Sequence, residues 1–142
     1  MSEDGGVKNK PLVDAMRLLA KERDDWHRKQ VYQEILRAQF VVALSRPFAA
    51  GQQLQIEDLK VVDKLGSRPS FAVFTEEALA RRWRPDHEHF GVVGGVPLIL
   101  MLSAAKAGSL LINRGGKVGG EVYGNEIDTM AQAVTGTWAR QS

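Results

Sequence analysis

At Phe40 the chain changes period, and that change limits the folds open to it. Ahead of Phe40, Leu12, Ala15, Met16 and Leu19 recur at helical spacing behind Pro11, a residue suited to the first turn of a helix. A second helical run follows "KERDD", with Asp25 as cap, Trp26, Val31, Ile35 and Leu36 on the buried side, and Arg28, Lys29 and Glu34 toward water. The two runs also read as one long helix. From Phe40 the stretch "FVVAL" is β-branched and aromatic, and "SRPFAAGQQ" behind it carries the proline and glycine of a turn. Helices followed by strands, in 142 residues that suffice for one core but not comfortably for two, point to a single domain whose helices pack on a sheet.

The rest of the chain extends that pattern. "LQIEDLKVVDKLG" offers a weak strand reaching Leu65, and "SFAVF", Ser70 to Phe74, a stronger one in the same sheet. In "TEEALARRW", Thr75 is the expected cap, Glu76 and Glu77 suit the first turn and Arg81 and Arg82 the last, while Leu79 and Trp83 share the buried face. Phe90 to Ala105 is the longest uncharged stretch, shorter than the roughly 20 apolar residues of a bilayer crossing, and reads as a buried loop and helix. That helix is expected from Pro97 to Lys106, closed by Gly108; "SLLIN" is then a short buried strand, and "GNEIDTMAQAV" a last helix capped by Asn125. The expected fold class is α+β: a flexible leader over 1–10, then one domain over 11–142, with an N-terminal helical segment and a mixed or antiparallel sheet of about four to five strands flanked by helices.

The succession of strand, "VFTEEALARRWRP", "GVV", apolar helix, "LLIN", glycine loop and acidic-capped helix resembles the N-terminal domain of the SseB family, bacterial proteins named for enhanced serine sensitivity. Phe74, Thr75, Leu79, Trp83, Asn113 and Gly116 fall on that family's characteristic places, within a likeness that runs from Val31 to Val134. Arg114 stands where the family usually has proline. The resemblance implies a bacterial protein and brings no catalytic residue, cofactor or substrate with it.

Charge and composition exclude several classes of function. Nineteen basic against seventeen acidic residues leave a net charge of +2, too little for a nucleic-acid or membrane field by itself. No cysteine is present, so disulfides, thiolate metal sites and thiol nucleophiles are out, in keeping with a reducing cytoplasm. "MSEDGGVKNK" lacks the apolar core of a secretory signal.

Four motifs carry potential chemistry. "INRGGKVGGEV" is rich in glycine around Lys117, but a phosphate loop of the form GxxxxGK[ST] needs glycine and a serine or threonine where Leu111 and Val118 stand. Its glycines are expected to serve backbone shape. In "PDHEHF" an extended segment projects His87 and His89 to one face and Asp86 and Glu88 to the other, a geometry able to hold a divalent ion but lacking a third ligand. "RRWRP" sets arginines around Trp83 as a single-strand nucleic-acid site would, although last-turn arginines and a buried tryptophan account for it as well. Ser103 has no nucleophile-elbow context.

These readings point to a cytoplasmic, non-enzymatic binding or adaptor module without metal or cofactor, with a protein partner rather than nucleic acid or membrane, and with a homo-oligomer allowed. Arg81, Arg82, Arg84, Arg114, Gly116 and Lys117 form the expected interaction surface. The alternative is a small-ligand binder or enzyme using a pocket near Asp86–His89 and the Arg114–Gly120 loop.

Overall fold

The computed structural model describes residues 9–47, 54–87 and 89–141. Helices α1 (Lys10–Lys21) and α2 (Asp25–Arg37) lead into strand β1 (Gln39–Ala43), and a 3-10 turn at Ile56–Asp58 precedes the hairpin of β2 (Val61–Leu65) and β3 (Arg68–Phe74). Then come α3 (Glu77–Trp83), β4 (Phe90–Gly94), α4 (Gly95–Ala104), β5 (Ser109–Ile112), β6 (Gly120–Tyr123) and α5 (Gly124–Gln141). The strands make one six-stranded sheet in the order β4-β1-β3-β5-β6, with β2 also on β3. Only β3 and β5 run parallel, so the sheet is mixed and the domain is α+β.

Alternation of side chains along the strands divides the core. Phe40, Val42, Val73, Leu110 and Ile112 face one side, where α1, α2, α4 and α5 bury Leu12, Ile35, Leu98, Leu102 and Ile127 against them. Val41, Ala72 and Phe74 face the other side, covered by the single short helix α3 through Ala80, Leu79 and Trp83. Gly95 fixes the angle at which α4 meets α2: a Cβ there would lie 1.8 Å from the carbonyl oxygen of Ile35, so only glycine permits the approach.

The structure corrects several expected details. α1 and α2 are separate helices, and the second is capped by Asp24, whose carboxylate accepts the His27 N–H at 2.8 Å, with Asp25 already inside the helix. Trp26, in the first turn of α2, is 63% exposed and belongs to no core. The sheet has six strands because β4 and β6 lie in segments read as loop; β4 ends and β6 begins on glycine, and β6 buries only Val122, so neither shows a sustained apolar pattern. α4 starts two residues before Pro97 and ends at Ala104. Its closing residue is Lys106 at φ 56, whose N–H reaches Ser103 while that of Ala107 reaches Leu102, a Schellman turn made without Gly108.

Asn125 is the second residue of α5 and not its cap; Tyr123, just ahead of the helix, donates its N–H to the Glu126 carboxylate at 3.1 Å. Asn9 is buried and Lys10 opens α1, so the folded body starts before residue 11; the remainder of the expected leader, 1–8, lies outside the described residues.

Candidate functional site

Two groups of polar side chains stand apart from the apolar core, and they differ in how completely they are satisfied. At the end of the sheet where β3 and β5 finish, Asn113 takes the left-handed conformation, φ 58. Its Oδ1 accepts the N–H of Thr75 at 2.9 Å and the Thr75 hydroxyl at 3.3 Å, and its Nδ2 donates to Val118 O at 2.9 Å. Thr75 is therefore a buried strut at 3% exposure, not the cap of α3, which begins two residues later without a side-chain cap. Asn9 completes the knot: its Nδ2 donates to Thr75 O at 2.8 Å and Gln39 O at 2.7 Å, and its Oδ1 accepts the Gln39 N–H.

The glycine loop is shaped from this knot. Gly116 N–H donates back to Asn113 O at 2.8 Å and Gly115 takes φ +83. The glycines thus make a turn, and the Gly116 amide points into the protein.

The expected site residues fall into separate places. Arg81 pairs with Glu77 at 2.6 Å and lies 5.1 Å above the ring of Phe90. Arg84 lies 4.6 Å over the half-buried Trp83, whose ring is 5.4 Å from Phe74; Arg82 and Arg114 are exposed. A Cβ on Gly116 would be 3.6 Å from Leu79, so α3 and the glycine loop are neighbours. Lys117 lines a trough on the α1 side instead.

His87 donates through Nε2 to Leu44 O (2.9 Å) and stands edge-on to Phe90, with the His89 ring 6.4 Å away. Among the described residues no three His, Asp or Glu side chains are grouped to hold a metal ion. His87 and His89 lie beside the C-terminal end of β1 ahead of β4, whereas the 114–120 loop leaves the C-terminal end of β5. The histidine pair and the loop lie at opposite ends of the sheet with β1 and β3 between them, three strand spacings or roughly 14 Å. A shared pocket joining them is thereby overturned.

A concavity lies elsewhere. A groove of about 700 Å³ separates α1 and α2 from β6 and the start of α5. Met16, Leu19, Val31 and Val122 make its floor; Arg23, Arg28 and Asn125 stand on its rim. At one end the hydroxyl of Tyr32 donates to Glu126, a bond that ties α2 to α5. Burial, and then this carboxylate, hold the Tyr32 phenol far above its ordinary pKa.

β6 lies at the edge of the sheet, and all four of its residues line this groove. Gly124 donates to Gly108 O in the β5 register, so the alternation of the ladder turns Gly120 and Val122 toward β5 and Glu121 and Tyr123 away from it. The outward N–H of Tyr123 is taken by Glu126. The outward N–H and C=O of Glu121 are left to whatever enters the groove.

Residues 12–129 match the family model described as the SseB protein N-terminal domain. The chain belongs to the SseB family. No curated protein and no solved structure matched it. Within this SseB domain the matched span covers every strand and the beginning of α5, so the groove lies in the family's shared region, as do Thr75 and Asn113 of the knot, while Asn9 precedes it. Sequence reasoning found Asn113, Thr75 and Gly116 as family positions but missed the groove. Tyr32 and Glu126, 94 residues apart, meet only through the fold.

Proposed function

We propose that this SseB domain is a non-enzymatic binding module of the bacterial cytoplasm that holds a short extended segment of a partner protein in the groove beside β6. The observation that carries the reading is an open strand edge lying inside an apolar-floored groove: the backbone of Glu121 offers hydrogen bonds in one line, and Met16, Leu19 and Val31 offer a surface for side chains. Strand addition uses these two elements together, main-chain bonds for affinity and adjoining pockets for selectivity. The volume, about 700 Å³, is within the usual range for a ligand site. The arginines of α3 flank a different part of the surface and serve as a secondary contact in this reading.

Ala20 is an exposed residue of α1 on the groove wall, so Ala20→Trp fills the site without entering the core. Selection from a displayed library of random dodecapeptides is expected to enrich sequences on the wild-type domain that Ala20→Trp, melting at the same temperature, does not retain. Equal retention by the filled variant places binding elsewhere and overturns the reading.

A further inference from the structure

A second trough, about 690 Å³, runs along the outer side of α1 and shares Met16, Ala20 and Gly119 with the groove beside β6. The two adjoin along α1 as one channel. Its charges are lopsided. Arg17, Lys21 and Lys117 line the second trough, and the carboxylate there, Asp14, is already engaged by Lys10 at 2.8 Å and approached by Arg17 at 3.9 Å.

In the first groove Glu126 is taken by the Tyr32 hydroxyl and the Tyr123 N–H, and Glu121 accepts the Tyr123 hydroxyl at 3.3 Å, while Arg23 and Arg28 face the channel. Apolar surface accompanies the cations: Leu18 is 49% exposed and Val118 half-buried beside Lys117.

We infer that the channel is selective for an acidic peptide segment, one that adds to the edge of β6 and carries its carboxylates on along α1 to Arg17, Lys21 and Lys117. The inference rests on the strand-addition reading and adds the chemistry of the partner. In the groove beside β6 Arg23 and Arg28 face the charged Glu121 and Glu126, and Arg28 lies 3.6 Å from Asp25, whereas along α1 Arg17, Lys21 and Lys117 face Asp14 alone, so the attraction for an acidic chain is concentrated on the stretch along α1. A polynucleotide offers charge as well, but it has no amide groups to match the Glu121 edge, and the domain's net charge is only +2.

The test uses a fluorescein-labelled decapeptide of alternating glutamate and valine, with glutamine and lysine counterparts, and amide shifts from the isotopically labelled domain. The glutamate peptide is expected to bind, to shift the Glu121 amide together with those of Lys117 and Arg17, and to lose about tenfold or more in affinity for the doubly reversed Arg17→Glu, Lys117→Glu domain and in high salt. These substitutions are on exposed positions, and an unchanged melting curve verifies the fold. If the glutamine or lysine peptide binds equally well and shifts the same β6 amide, acidic selectivity is overturned while strand addition stands. Glutamate-peptide shifts confined to α1 and the loop, leaving Glu121 still, overturn strand addition and with it this inference. Binding of a thymidine dodecamer at the same residues with no response to any of the three peptides overturns both, as does silence from every probe.

Discussion

The knot at Asn113 and the groove at β6 are both built of polar groups beside an apolar floor, yet they are opposites in bonding. In the knot every polar atom named has its partner inside the chain: Asn9, Thr75 and Asn113 bond one another and the backbone of β1, β3 and the glycine loop. In the groove the backbone of Glu121 is turned outward and the cations stand on the rim. A buried polar group with complete partners resists change, whereas one left open in a concavity has capacity to spare for a ligand. The first region holds the fold and the second is free to bind.

The largest effect that would break this division is expected at Asn113. Asn113→Ala removes the acceptor of the buried Thr75 N–H, unties Val118 and puts alanine at φ 58, so it should cost about 3 to 4 kcal/mol in urea denaturation. A loss below about 1 kcal/mol would make the knot ornamental. The next effect is smaller and tests the loop alone. Gly115 has φ +83 and open space around its Cα, so Gly115→Ala should cost about 1 kcal/mol through backbone strain without a clash. Gly116 has an ordinary φ and a Cβ there would lie 3.1 Å from Asn113 O, so whatever Gly116→Ala costs has a steric origin. Hydrogen exchange at Lys117 and Val118 should rise in the first variant more than in the second.

How much of this was legible in the sequence follows the same line. Helices α1, α2 and α3 showed themselves by helical spacing and charge order, and strands β1, β3 and β5 by short unbroken apolar runs rich in β-branched and aromatic residues, signals that survive without their neighbours. β6 did not, because an edge strand that buries one residue has no period to show. The cap of α3 was misplaced for a different reason: threonine before two glutamates suits a cap locally, but Asn113, 38 residues later, takes the threonine for the sheet end. Trp26 reads as core from its place in the run, yet as the second residue of α2 it is 63% exposed. The groove was invisible as a site, since its walls come from four elements and its bonded pair, Tyr32 and Glu126, from opposite ends of the chain.

Tyr32 belongs to both categories, buried in part and bonded at the groove's end, and its removal sharpens the boundary between them. Tyr32→Phe leaves Glu126 its bond from the Tyr123 N–H, so the cost is expected to be about 1 kcal/mol or less at neutral pH. The sign of the pH dependence is fixed by the raised pKa. Folding favours the protonated phenol, so its contribution is complete below the ordinary value of 10 and is lost as pH climbs from there toward the higher folded-state value. Wild-type stability should therefore fall with rising pH above 10 more steeply than that of Tyr32→Phe; parallel curves would show that burial and Glu126 together do not hold the Tyr32 phenol protonated in solution.

The smallest effect is expected at Lys117, which stands one residue beyond the turn that Asn113 ties and yet lines the channel along α1. It is exposed, and no ion pair to it is seen among the described residues, so Lys117→Ala should change stability by less than about 0.5 kcal/mol. Its charge acts through water over a few ångströms on whatever occupies the channel. The same substitution should therefore weaken the glutamate peptide by about two- to fivefold in low salt and by progressively less as salt rises. Calorimetric titration at two ionic strengths, beside denaturation of the unliganded protein, separates the two quantities. A stability loss above about 1 kcal/mol would mean that the lysine is part of the knot, and the line between the region that folds and the region that binds would have to be drawn on the other side of the glycine loop.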